Sequence, residues 1–134
     1  MSMSLGVRRS LQQCAQADGT FAMLAMDQRG SLMRAINPDT PKSVTYPMVA
    51  DIKRAVISVL SPHASATLLD VEYGYPTCVA SGALSGRTGL LLAYEKSGYE
   101  GDPTARRTAL LDNWSVGRAV ASGASGVKLL VYYR

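Results

Sequence analysis

Charged and amide side chains follow the apolar segments of this sequence, at the points where strands are expected to end. Asp27-Gln28-Arg29-Gly30 follows a first apolar run, Asp70 and Glu72 follow a second, and Glu95-Lys96 follows a third. In parallel α/β proteins, the residues that do chemistry cluster at the carboxyl ends of the strands. These positions are therefore the candidates for a functional site.

Asp27 is the first candidate for acid–base chemistry. A carboxylate where a buried strand ends can accept protons or orient substrate hydroxyls, especially when a neighbouring cation sets its pKa. Aspartate also favours helix N-caps, so a cap for a helix that opens near Ser31 is an equal alternative on spacing alone. Arg29 offers a fork of donors for a phosphate, or for a surface salt bridge.

Lys128 is the more informative residue, because it lies in an otherwise apolar segment at 126–133. Side chains alternate across a strand, so Lys128 shares a face with Leu130 and Tyr132. On an interior face the ammonium would lose hydration, and its pKa would fall unless a carboxylate held it charged. Such a lysine could neutralise an oxyanion or a phosphate, or pair with Asp27. The alternative is a lysine whose stem snorkels to solvent.

The other candidates are weaker. Asp70 and Glu72 could form an acid–base pair, but carboxylates near a strand end are often loop residues, and Glu95-Lys96 is more typical of a solvated pair. With one histidine in the sequence, a transition-metal site has no visible scaffold. Cys14 and Cys78 match no metal or redox spacing and indicate reduced thiols. The sequence predicts no metal and no cofactor.

Four nearly continuous apolar runs predict the strands that would position these residues. Their lack of alternating polarity is typical of parallel strands that are covered on both faces. The runs cover residues 21–26, 66–69, 89–94 and 126–133.

Helical segments are expected between the strands. The segment 48–60 carries an apolar stripe at positions 48, 49, 52, 55, 56, 59 and 60, with Thr45 as its cap and Pro62 beyond its end. The segment 112–122 has Asp112 to cap it and Gly123 to end it. Weaker helices are predicted at 5–17, 31–36 and 76–84. Alternating strands and helices predict an α/β fold with a parallel sheet.

Composition narrows the class of protein. Hydrophobic residues make up 47% and charged residues 18% of the 134 residues, which is typical of a folded protein. The formal charge is +4, but the basic residues are scattered, so a nucleic-acid partner is not expected. No apolar segment suits an export signal or a membrane span, and we expect a cytoplasmic protein.

Four ordered blocks of the sequence resemble the tagatose-1,6-bisphosphate aldolase family. Together they are far more specific than any single motif. The blocks are residues 21–30 (FAMLAMDQRG), 60–65 with 68–74 (LSPHAS and LLDVEYG), 90–99 (LLLAYEKSGY), and 114–115 with 123–133.

The resemblance implies a TIM barrel whose metal-free, imine-forming chemistry cleaves a ketose 1,6-bisphosphate to dihydroxyacetone phosphate and glyceraldehyde 3-phosphate. Asp27 matches the family's active-site aspartate and Lys128 its fourth-strand lysine, so both are expected to be catalytic. Gln28, Arg29 and Asp70 are the expected substrate-binding residues. The partner implied is a phosphorylated ketose, and a homo-oligomer is compatible with it. The resemblance places the imine lysine on a sixth strand and a catalytic glutamate on a fifth.

Residues 1–134 are therefore expected to form the amino-terminal half of the barrel, with four parallel strands and intervening helices. The chain stops directly after the fourth apolar run, whereas an eight-stranded barrel needs about 250 residues. By itself such a chain is expected to be inactive.

Two alternatives stay open. The related sulfofructose-phosphate aldolases share the Asp-Gln-Arg signature, although the blocks at 72–74 and 93–99 favour the tagatose branch. A non-catalytic half-barrel that binds sugar phosphates through Asp27, Arg29 and Lys128 is the alternative from another class.

Overall fold

The computed structural model describes residues 2–96, 102 and 105–132 of the chain. Strands and helices alternate through these residues, as the sequence predicts. The helices are α1 (Leu5–Cys14), α2 (Gly30–Ile36), α3 (Tyr46–Leu60), α4 (Gly74–Ala80) and α5 (Val116–Ala121), and the strands are β1 (Met23–Met26), β2 (Ala66–Leu69), β3 (Gly89–Ala93) and β4 (Gly126–Lys128). Short 3-10 turns cover Pro41–Ser43 and Ser61–His63.

The four strands form one parallel sheet in the order β1-β2-β3-β4. The pairing is in step along the chain, with Met26 beside Leu69, Leu69 beside Leu92, and Ala93 beside Lys128. Because all strands run the same way, their carboxyl ends meet at one edge of the sheet. The predicted α/β architecture with four parallel strands and intervening helices is confirmed.

The core lies between the sheet and its helices. Leu69, Leu90 and Leu92 are buried there against Ile57 of α3 and Ala119 of α5. Strand side chains alternate between faces, so Leu91 and Ala93 of β3 point away from this core. The same alternation carries the side chains of Asp27, Glu95 and Lys128 to the face opposite the core.

The predicted start of α5 at Asp112 is wrong. Asp112 does not cap α5, because its carboxylate pairs with Lys96 Nζ at 2.6 Å. Ser115 is the cap, and it accepts a hydrogen bond from the Arg118 backbone N–H at 3.0 Å. Gly123 does end this helix, in a left-handed conformation with φ of +86°.

The fourth strand is shorter than predicted. It ends at Lys128 instead of continuing to residue 133, the last predicted strand position, which lies outside the described residues. The reason lies in its partner: β3 ends at Ala93, and beyond it Glu95 forms an antiparallel bridge with Leu110. Residues 129–132 therefore have no continuing strand to pair with in β3.

The apolar stripe of α3 faces a different way from the prediction. Its buried residues are Val49, Ala50, Lys53 and Ile57, whereas the predicted stripe members Met48 and Val59 are exposed. The helix therefore turns a lysine toward the sheet. Thr45 stands at the N-cap position but makes no side-chain capping bond. Within the described ranges, no helix has the length and hydropathy needed to cross a membrane.

Candidate active site

Asp27, Glu95 and Lys128 form a cluster at the carboxyl edge of the sheet. Asp27 directly follows β1, Glu95 comes two residues after β3, and Lys128 is the last residue of β4. Lys128 Nζ lies 3.1 Å from Asp27 Oδ2 and also donates a hydrogen bond to Glu95 Oε1. Pairing with Asp27 is one of the alternatives that the sequence leaves open for Lys128, and it is present in the structure. One ammonium therefore contacts side chains at the ends of three strands.

Burial and charge act in opposite directions on Lys128, whose side chain is 36% exposed. Desolvation acts to lower its pKa, but hydrogen bonds to Glu95 and Asp27 and the charges of both carboxylates outweigh it. The net effect raises the pKa of Lys128 above its ordinary value. The lysine is therefore held as an ammonium, and its stem does not simply snorkel to solvent.

Glu95 corrects the prediction of a solvated Glu95-Lys96 pair. The Glu95 side chain is 6% exposed and bonds Lys128, whereas Lys96 points outward to Asp112. The signal was present in the alternation of β3, which places positions 91, 93 and 95 on one face. Two adjacent opposite charges suggested a surface pair, but adjacent side chains on an extended segment point in opposite directions.

Arg29 lies beside this cluster and is buried. Its guanidinium donates to the Glu95 backbone carbonyl oxygen at 2.8 Å, so the alternative of a surface salt bridge is wrong. Arg29 Nε has no hydrogen-bond partner in the described part of the chain. Arg29, not Asp27, stands at the N-cap position of α2, and no side chain caps that helix. Gln28 is exposed between these two residues.

Asp70 is not part of this cluster. Its carboxylate is fully buried and pairs with Lys53 Nζ at 2.6 Å. It also accepts hydrogen bonds from the backbone N–H groups of Glu72, Tyr73 and Gly74. All of these contacts are internal to the protein, and the substrate-binding role of Asp70 stays a prediction. Glu72 is exposed and does not join Asp70 as an acid–base pair.

The apolar pattern of the sequence does not predict that Lys53, in the middle of α3, is buried at the site. Lys53 lies three or four residues from Val49, Ala50 and Ile57, which are all buried. The helical spacing of these four positions would have placed Lys53 on the buried face. A stripe that is defined only by apolar residues excludes a lysine. The apolar pattern therefore predicts that the neighbouring face of α3 is buried.

Comparison with known proteins identifies the family of the chain. A family model described as DeoC/LacD family aldolase matches residues 21–134. The chain belongs to this family of aldolases, which confirms the resemblance in the sequence.

Relatives within the family carry more specific names. The chain is 43% identical over 126 residues to a tagatose 1,6-diphosphate aldolase 2 of Streptococcus pyogenes serotype M3, covering 94% of this chain and 37% of the relative. It is 38% identical over 133 residues to a tagatose 1,6-diphosphate aldolase of Streptococcus agalactiae serotype V, covering 99% of this chain and 40% of the relative. The chain therefore spans about two fifths of the length of these relatives.

Proposed function

We propose that this chain is the amino-terminal part of a class I aldolase that reversibly cleaves a ketose 1,6-bisphosphate, such as tagatose 1,6-bisphosphate, to dihydroxyacetone phosphate and glyceraldehyde 3-phosphate. The observation that carries the proposal is the cluster in which Lys128 bridges Asp27 and Glu95 at the carboxyl edge of the sheet. The names of the similar proteins support the choice of substrate.

The reaction needs one uncharged lysine and one charged lysine. The uncharged amine adds to the substrate ketone and water leaves, which gives a protonated imine. As the carbon–carbon bond breaks, its electrons move toward the imine nitrogen, a carboxylate takes the proton of the adjacent hydroxyl, and glyceraldehyde 3-phosphate departs. Protonation and hydrolysis of the remaining enamine then release dihydroxyacetone phosphate.

Lys128 suits the charged role. Asp27 and Glu95 keep it protonated, so it is a poor nucleophile at neutral pH, and the imine is assigned to the sixth-strand lysine that the family resemblance implies. The ammonium of Lys128 would stabilise the oxygen that becomes negative as the amine attacks the ketone, and would donate a proton as water leaves. Asp27, which is the less buried of the two carboxylates, would orient the substrate hydroxyls or exchange a proton with them.

The predicted substrate-binding residues differ in how well their positions suit that role. Gln28 is exposed directly beside Asp27 and is free to reach a substrate hydroxyl. Arg29 donates a hydrogen bond to the Glu95 carbonyl oxygen with one nitrogen, and its Nε has no partner among the described residues. Asp70 is enclosed, so its predicted contact with substrate would require the loop after β2 to open.

The setting proposed for the protein follows from the same chemistry. Its partner would be a phosphorylated ketose, which is a metabolite of the cytoplasm. The basic residues are scattered along the sequence, which does not favour nucleic acid as a partner. The exposed edges of β1 and β4 in this sheet favour assembly with further strands or with a second copy.

Borohydride trapping in the full-length protein that carries this chain tests the proposal. With dihydroxyacetone phosphate present, reduction should leave a covalent adduct on a lysine outside residues 1–134, which peptide mass spectrometry will locate. Turnover of tagatose 1,6-bisphosphate should survive EDTA, and Lys128→Met should lower kcat by about 100-fold or more.

Lys96→Met is the matched control, because Lys96 is a nearby but outward-facing lysine that should be dispensable. An adduct on Lys128 would show that the charged role assigned to this lysine is wrong, whereas loss of turnover in EDTA would contradict the metal-free imine mechanism. Faster turnover of sulfofructose 1-phosphate than of the tagatose substrate would favour the sulfofructose-phosphate branch.

A further inference from the structure

A buried ion pair lies behind the carboxyl ends of β1 and β2. Lys53 Nζ of α3 is 2.6 Å from Asp70 Oδ2, and both side chains are fully buried. The same ammonium donates a hydrogen bond to the Met26 backbone carbonyl oxygen at 2.7 Å. One helix therefore contacts the ends of two neighbouring strands through a single charged group.

Asp70 is held from the other side by backbone. Its carboxylate accepts N–H groups from Glu72 at 3.0 Å, Tyr73 at 2.6 Å and Gly74 at 3.2 Å. A Cβ on Gly74 would lie 3.0 Å from Asp70 Oδ2, so glycine lets the loop close tightly over the carboxylate. These contacts fix the carboxylate, and through it the position of the Lys53 ammonium.

The bond to Met26 connects this pair to the cluster. The carbonyl carbon of Met26 is bonded covalently to the nitrogen of Asp27, so holding the carbonyl oxygen fixes the plane of the peptide that leads into Asp27. Asp27 in turn places Oδ2 3.1 Å from Lys128 Nζ. A small rotation of that peptide would move the carboxylate away from the ammonium.

Stability alone does not account for charges at this position. A buried ion pair contributes about as much to stability as apolar side chains of similar volume would. An apolar pair, however, would leave the Met26 carbonyl without the Lys53 donor. The geometry at the end of β1 is what the ion pair specifically supplies.

We propose that Lys53 is a positioning residue for the aldolase reaction. Anchored by Asp70, it holds the peptide between Met26 and Asp27 so that the Asp27 carboxylate meets Lys128. The inference rests on the proposed function for its effect on catalysis. Asp70 then acts through Lys53 and not by contact with substrate.

The test compares variants of the full-length protein that carries this chain. Lys53→Met alone leaves Asp70 charged and buried, so the informative variant is Lys53→Met with Asp70→Asn, in which the asparagine still accepts the loop N–H groups. We expect kcat to fall by about 10- to 100-fold, with KM changed by less than about threefold. In the same variant, carbon-13 NMR of lysine side chains should give a lower pKa for Lys128, because Asp27 has moved away.

The control is Arg54→Met with Asp51→Asn, which removes an exposed ion pair of 3.0 Å from the same helix. It should leave kcat and the Lys128 titration within about twofold of wild type. If the double variant at 53 and 70 does not fold, Asp70→Asn alone loosens the anchor and should change both quantities in the same direction by less.

Wild-type values for both kcat and the Lys128 pKa in the folded variant would overturn the inference. A loss confined to KM would also overturn it, because that pattern would assign Asp70 to substrate binding. If the unmodified protein cleaves no ketose bisphosphate, the proposed function fails, but the comparison of Lys128 pKa values still decides whether Lys53 positions Asp27.

Discussion

Two carboxylates and one ammonium meet in the cluster of Asp27, Glu95 and Lys128, and the positively charged guanidinium of Arg29 lies beside it. Lys128 already contacts two carboxylates, which favours a role at the reacting carbons over a role in phosphate binding. Glu95 is the more enclosed of the two carboxylates. In the proposed reaction Asp27 would face the substrate, while Glu95 would balance the charge of the lysine from the more buried side.

The pH dependence of stability tests whether Lys128 is held charged. Its pKa in the folded protein lies above the ordinary value of 10.5. Its favourable contribution to folding is therefore fully present below that value and is lost as pH rises through the folded-state pKa. The difference in unfolding free energy between wild type and Lys128→Met, measured by urea denaturation, should be large at about pH 8 and should shrink toward about pH 11.

Lys96→Met provides the comparison for that measurement. Lys96 pairs with Asp112 while remaining 45% exposed, and such surface pairs contribute little to stability. Its difference from wild type should be small at both pH values. A Lys128→Met difference that grows with rising pH would mean that burial dominates and that the lysine is not held as an ammonium.

Some residues of the site were predictable from local pattern and others were not. Lys128 stands out as a charge within an apolar strand, and Asp27 stands at a strand end, so their pairing follows from the parallel sheet. Predicting that Glu95 joins the site would have required continuing the alternation of side chains in β3 past its last residue. Lys53 required the helical face of α3 to be known, and its apolar residues indicated the wrong face because so many of them are exposed.

At the scale of elements, the strands were easier to predict than their ends. A continuous apolar run identifies a buried strand, but its length depends on its neighbour. The fourth strand is short because β3 departs after Ala93 toward Leu110, a contact between distant residues that local sequence does not encode. The cap of α5 is misassigned for a similar reason, since Asp112 is drawn to Lys96.

Gly89 of β3 packs closely against the end of α1. A Cβ there would lie 2.5 Å from the Gln13 carbonyl oxygen and 3.0 Å from the Cys14 Cα, and backbone atoms cannot easily move aside. Gly89→Ala should therefore force α1 away from β3 and lower the free energy of unfolding by about 1–3 kcal/mol. Urea denaturation of the full-length protein that carries this chain will measure the loss.

Gly86→Ala is the matched control, three residues earlier in the chain. No atom of the described residues lies within 4 Å of the Cβ it would add, and its φ is not positive, so the change should stay within about 0.5 kcal/mol of wild type. Equal effects of the two substitutions would indicate that the loss of glycine itself matters, and not the contact with α1.

At the scale of the whole molecule, the parallel order and the four-block resemblance predicted the architecture well. They could not predict which side chains occupy the face of the sheet opposite the helices. The helix-covered face has a continuous core, whereas the opposite face carries the charged cluster together with exposed apolar side chains such as Met23 of β1. β1 and β4 also stand at the edges of the described sheet.

These features predict how the 134-residue chain behaves when produced by itself. Open strand edges and exposed apolar side chains favour pairing between copies at micromolar concentrations. Sedimentation velocity should show an average mass that rises with protein concentration. Met23→Lys places a charge on the edge strand β1, on a side chain that is 47% exposed, and should reduce that association.

Val59→Lys distinguishes pairing at the strand edge from nonspecific association. Val59 is 65% exposed on the outer surface of α3, so the substitution adds the same charge without touching the sheet. If β1 drives association, only Met23→Lys will lower the average mass. Equal reductions would show that net charge controls association, and a wild-type chain that stays monomeric throughout would mean that the edges of β1 and β4 are protected within the isolated chain.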